Sequence, residues 1–85
     1  MRQVTIQISK EGFLAMDEVR KLVNIATRHK ERINVVSDHY CVDCKSILGI
    51  LSLDLSKPIK LQYEETARGL KDFDKEIKNH FNIIE

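Results

Sequence analysis

Ile33-Asn34-Val35-Val36-Ser37-Asp38-His39-Tyr40-Cys41-Val42-Asp43-Cys44 is the stretch that decides the fold. Ile33 and Val35 carry the period of a half-buried strand, and Val36 adds β-propensity. Asp38-His39 is a two-residue turn, less emphatic than Asp-Gly but correctly spaced. Tyr40 to Cys44 reads as the returning strand. A hairpin at the centre of the chain implies an antiparallel sheet.

Upstream, Val4, Ile6 and Ile8 alternate with Thr5, Gln7 and Ser9 as a first strand, which Lys10-Glu11-Gly12 breaks. From about Met16 to Arg28, Val19, Leu22, Val23 and Ala26 fall at i, i+3, i+4 and i+7, the apolar stripe of a helix. Asp17 and Glu18 are expected in its first turn, and Arg28 and Lys30 near its end, as the macrodipole prefers. Downstream, Ser46 can cap a short helix, Ile47 to Leu53, apolar on nearly every side. A fourth strand begins after Pro58 and runs to Tyr63. Leu70, Phe73, Ile77, Phe81 and Ile84 are expected to form the core stripe of a final helix. The order β-α-β-β-α-β-α predicts an α+β fold: a four-stranded antiparallel sheet with three helices on one face. The open face should carry Thr5, Gln7, Asn34, Lys60 and Gln62.

Eighty-five residues suit one domain, 1–85, with no room for a second core. Hydrophobic residues at 42% and charged residues at 32% fit a globular chain and not a disordered one. Fourteen Lys and Arg against thirteen Asp and Glu leave a net charge of +1. That balance gives no field to recruit nucleic acid or an anionic membrane. No apolar run approaches the roughly 20 residues of a membrane helix, and Met1 to Ile6 alternates where a signal peptide would be uniformly apolar. A cytoplasmic protein is expected, whose two cysteines stay reduced.

Several residues invite a chemical reading. Ser46 is either a plain N-cap, worth about 1 kcal/mol, or a phosphorylation site whose phosphate meets free backbone N–H groups. Ile47, Leu48, Ile50 and Leu51 are too apolar to bury on every side. They imply a patch for a protein partner, or packing under loops or against a second copy. Cys41-Val42-Asp43-Cys44, with His39 two residues earlier, has the spacing of a thiol or metal sensor. Strand alternation, however, sends residues three apart to opposite faces, and a closed zinc site wants four ligands. Two small apolar fillers is the plainer reading. His29, His39 and His80 lack partners at catalytic spacing, and no nucleophile–base pair, phosphate-binding glycine loop or carboxylate pair appears. Neither an enzyme nor a cofactor or metal is expected.

Lys45-Ser46-Ile47-Leu48-Gly49-Ile50-Leu51-Ser52-Leu53 closely resembles the Lys-Ser-Ile-Met-Gly-Val-Met-Ser-Leu run of HPr proteins from Gram-positive bacteria. HPr is the histidine-containing phosphocarrier of the bacterial sugar phosphotransferase system. Leu22-Val23 with Ala26, the strand around Ile33 and Val35, and the C-terminal helix align without a gap. The resemblance covers essentially all 85 residues. It implies an open-faced β-sandwich, and it makes Ser46 the counterpart of the site modified by HPr kinase/phosphorylase. It also implies that the short helix, with the start of the first helix, is a docking surface including Ile47, Leu48 and Leu51.

The departure from the family is equally specific. Its Gly-x-His-x-Arg-Pro motif here reads Gly12-Phe13-Leu14-Ala15-Met16-Asp17-Glu18. Ala15 stands at the phosphorylated histidine, Asp17 at the arginine and Glu18 at the proline. A one-residue shift brings Leu14 to the histidine instead. Neither side chain forms a phosphoramidate. At roughly 5 Å and an effective dielectric near 20, each carboxylate would also cost a phosphoryl group about 3 kcal/mol. The expectation is an HPr-like regulatory or adaptor protein that is not a histidine phosphocarrier, similar to the catabolite-repression HPr paralogues. HPr kinase/phosphorylase or a transcriptional regulator are the partners implied. A protein-binding domain with partners outside the phosphotransferase system, or a sensor built on Cys41 and Cys44, are the alternatives. Asp54, where the family often has glycine, is a further departure.

Overall fold

The computed structural model describes residues 2–8, 13–64 and 70–84. Among them the order is β1 (Arg2–Gln7), α1 (Phe13–Thr27), β2 (Asn34–Ser37), β3 (Tyr40–Asp43), α2 (Ile47–Leu51), β4 (Ile59–Tyr63), α3 (Leu70–His80) and β5 (Asn82–Ile83). The strands make one antiparallel sheet in the order β3-β2-β4-β1-β5. The hairpin closes where the sequence put it, with Ser37 opposite Tyr40. Asp38 turns the corner at φ 52°, a left-handed conformation that aspartate tolerates better than most residues.

Register sorts the side chains. Val4 lies opposite Leu61, which lies opposite Val35, and all three are buried beneath the helices. Val19, Leu22, Val23 and Ala26 of α1, Ile50 of α2, and Phe73 and Ile77 of α3 complete this core. The other face carries Thr5, Gln7, Asn34, Lys60 and Gln62, none of them buried, as expected. There Gln62 Nε2 donates to Gln3 Oε1 across β4 and β1 at 2.8 Å.

Helix boundaries move in three places. First, α1 begins at Phe13, a turn earlier than its obvious stripe, because Ala15 extends that stripe one step (Ala15, Val19, Leu22) and packs on the core. Asp17 and Glu18 therefore sit in the second turn, and Arg28 and Lys30 lie beyond the last. The macrodipole pairing expected of them is absent. Second, α2 stops at Leu51. Ser52 N–H turns back to the Leu48 and Gly49 carbonyls, and Leu53 N–H to Ile50 O at 3.0 Å. Third, α3 ends at His80. Phe73, Ile77 and Phe81 are buried, but Phe81 already lies past the helix, and Ile84 is exposed. Beyond Phe81 the chain finds unpaired backbone on β1 and adds β5, a fifth strand where four were expected. The side chain of Leu70 is outside the described residues.

Helix α3 is fixed to the sheet by one polar cluster. The Tyr63 hydroxyl donates to Asp74 Oδ1, and Arg2 Nε donates to the same oxygen at 2.8 Å. Tyr63 also meets Phe73 edge-on, ring centroids 5.0 Å apart.

Candidate functional site

Helix α2 is positioned by its flanks. Asp43, at the end of β3, accepts from Lys45 N–H at 2.9 Å, turning the chain out of the sheet. Ser46 then caps the helix: its Oγ accepts from Gly49 N–H at 3.1 Å. Glycine at 49 permits this approach, since a Cβ there would lie 3.0 Å from Ser46 Oγ and 3.2 Å from Val42 Cβ.

The five-residue helix then divides its apolar side chains. Ile50 is fully buried and Leu51 packs partly on the core. Ile47 is exposed, and Leu48 more so, with 83% of its surface accessible. Of the three partner-facing residues predicted, Leu48 and Ile47 face outward while Leu51 is shared with the interior. Leu14, in the first turn of α1, is another exposed apolar side chain. Its signal was in the sequence: Leu14 lies outside the Val19, Leu22, Val23 and Ala26 stripe. Behind α2, Asp54 accepts from Ser56 N–H at 3.1 Å, and the Ser56 bonds hold its carboxyl below the usual range. Asp54 is thus part of a turn following the helix.

At the position aligned with a histidine, Ala15 is half-buried against the core. Asp17, two residues further on, is exposed, and Glu18 is half-buried. The three histidines stand apart: His39 is in the hairpin turn, His80 ends α3, and His29 follows α1. The His29 ring meets Phe73 edge-on at 5.6 Å, and its Nε2 is buried with no hydrogen-bond partner among the described residues.

The cysteines lie on opposite faces, as alternation requires. Cys41 pairs with Val36 on the open face and is exposed, so it is not the apolar filler expected. Cys44 is that filler, and burial pushes its thiol up to about 12, the reverse of a reactive thiolate. Among the described residues no group of three or more His, Cys, Asp or Glu could hold a metal ion. Nor is any helix among them long and apolar enough to cross a membrane.

Fold and surface together define a class first: an open-faced α+β sandwich that presents a serine-capped apolar helix beside the first helix. The chain is similar in fold to solved structures, among them the following two. HPr-C-His from Thermoanaerobacter tengcongensis is 27% identical, with 94% of this chain and 91% of that one covered and a TM-score of 0.70. Phosphocarrier protein HPr from Bacillus anthracis str. Ames is 22% identical, with 95% and 96% covered and a TM-score of 0.73. The chain is HPr-like. No protein-family model matches it, and no curated protein matches it in sequence.

Proposed function

We propose that this chain is a single-domain HPr-like regulatory or adaptor protein of the cytoplasm. In this reading it is related to the sugar phosphotransferase system, binds protein partners, and neither carries phosphate on a histidine nor acts as an enzyme. One observation carries it: α2 commits Ile50 to the core yet leaves Leu48 and Ile47 outside. An exposed leucine on a helix fixed by its cap is the kind of anchor that a partner's apolar pocket accepts. The negative half is supported by Ala15, which has no nucleophilic nitrogen. Asp17 and Glu18 add opposition of the same sign. Their place in the second turn and solvent screening reduce the like-charge cost below the contact value given above.

Ser46 is the proposed point of regulation. A phosphate on its Oγ would end the present bond from Gly49 N–H to a neutral hydroxyl and offer charged oxygens to the same donor. Lying beside Ile47 and Leu48, it would change which partner docks, a transcriptional regulator being the class implied by the family resemblance. Mass spectrometry tests both halves. Enzyme I with phosphoenolpyruvate should leave the chain unmodified. HPr kinase/phosphorylase with ATP should add one phosphate to the native chain and none to Ser46→Ala. Acid-labile phosphate on His29, His39 or His80 would overturn the first half. An unmodified Ser46, where a genuine HPr is modified, would leave a protein-binding domain with partners outside the phosphotransferase system.

A further inference from the structure

Gln7, the last residue of β1, is held by two elements distant in sequence. At this end β1 pairs with β4 only as far as Ile6 opposite Ile59, and the ladder partner of Gln7 is Asn82 of β5. In an antiparallel ladder alternate residues turn their N–H and C=O to the same edge. Thr5 already accepts from Ile84 N–H at 2.8 Å, so Gln7, two residues on, also turns its backbone groups toward β5. Its side chain goes elsewhere. Nε2 donates to the Leu55 carbonyl and to the Ile8 carbonyl, each at 3.2 Å.

Leu55 lies half-buried in the segment between α2 and β4. That segment runs back to the helix through local bonds: Lys57 N–H to Asp54 O at 3.3 Å, and Leu53 N–H to Ile50 O at 3.0 Å. A short polar route therefore joins β5 to α2, with Gln7 as the link. The β5 end is the weak one. It has two residues, both exposed, with Phe81 as its buried anchor. So short a ladder at a sheet edge belongs to the low-stability end of a structure.

The geometry points to β5 as a strap whose seating on β1 sets, through Gln7, the order of the segment behind α2 and of the apolar surface α2 presents. With β5 seated, Gln7 is fixed and its amide pins Leu55. With β5 released, the Gln7 backbone loses its ladder partner, the amide loses its fixed origin, and residues 53–57 open more often. The consequence for docking rests on the reading of α2 as a partner surface; the coupling itself does not.

Amide hydrogen exchange on the 85-residue chain tests the coupling without a partner, so failure of the docking reading cannot be mistaken for failure of the strap. Asn82→Pro removes a ladder donor from β5. The amides of Leu53, Ser56 and Lys57 should then exchange about tenfold faster or more, while Val35 and Leu61 keep their rates. Gln7→Leu cuts the link in the middle: the same three amides should accelerate while Ile84 stays protected. The double variant should be no faster at these sites than the faster single variant. Unchanged rates at 53–57 in Gln7→Leu overturn the proposal, as do rate increases that multiply in the double variant. Should Asn82→Pro lose protection at Leu61 and so prove globally destabilised, the Gln7→Leu rates at 53–57 and at Ile84 decide alone.

Discussion

At Asp74, burial and hydrogen bonding pull the carboxyl in opposite directions. Burial favours the neutral acid, but the Tyr63 and Arg2 donors outweigh it and hold the pKa below the usual carboxylate value. A depressed folded pKa means a contribution fully present above the unfolded value near ~3.9 and lost as pH falls through the folded one. Tyr63→Phe should therefore cost about 1.5–3 kcal/mol in urea denaturation at neutral pH, as expected for a bond to a charged acceptor. The gap to the native chain should shrink as pH falls toward about 2. Tyr63 itself is raised, by burial first and then by the Asp74 carboxylate, so the stability it contributes is full below about 10, where the unfolded tyrosine ionises, and is lost as pH rises on through the folded value. At Gly49, alanine would gain about 1 kcal/mol of helix propensity. Against that stands a Cβ 3.2 Å from Val42 Cβ, a branch point that cannot swing aside. The crowding should win, and Gly49→Ala should lower stability by about 1 kcal/mol in the same assay.

Among the elements, α2 and β3 make opposite uses of alternation. In α2, a single residue, Gly49, separates a core side chain, Ile50, from a surface one, Leu48. Ile50→Ala should cost about 2–5 kcal/mol, whereas Leu48→Asp should stay within about 0.5 kcal/mol of the native chain while abolishing partner binding. Chemical denaturation beside a partner pull-down distinguishes the two. A Leu48→Asp chain as unstable as Ile50→Ala would place Leu48 in the core. In β3 and just after it, Cys41 and Cys44 should differ in a timed thiol titration with an aromatic disulfide. One thiol per chain should react at once, and the second only on unfolding, its pKa of about 12 and its burial acting together. Two fast thiols would contradict the strand register.

For the whole molecule, the balance of 14 basic and 13 acidic residues leaves recognition to local surface and not to a global field. The partners proposed for it are therefore expected to read the α1–α2 side through shape and apolar contact. Restoring a histidine tests how far the departure from the phosphocarriers goes. Ala15→His should recover little phosphoryl transfer from Enzyme I, because Ala15 packs partly on the core and Asp17 remains where the family has arginine. Radiolabelled phosphoenolpyruvate provides the measurement; brisk turnover in the single variant would show the acidic neighbours to be harmless.

The sequence by itself determined the first four strands, the hairpin, the buried stripe of α1 and the capped serine. Each is written in local period or spacing: Val4 and Ile6 two apart, Val19 to Ala26 along a helix stripe, Ser46 three residues before Gly49. It also determined that Cys41 and Cys44 face apart. It did not reveal that Cys41 would be exposed, because alternation assigns opposite faces without saying which one is covered. The first turn of α1 was obscured because Ala15 is a weak marker of a stripe that only the core makes visible. β5 was unreadable for a related reason. Phe81 and Ile84 keep a helical spacing, and what ends the helix is the free edge of β1, some seventy-five residues away in the chain. Tertiary structure alone decided that edge, the Tyr63–Asp74–Arg2 cluster and the Gln7 link. Each depends on groups distant in sequence meeting at hydrogen-bond distance, and local periodicity carries no information about which distant backbone or carboxylate will be there to meet them.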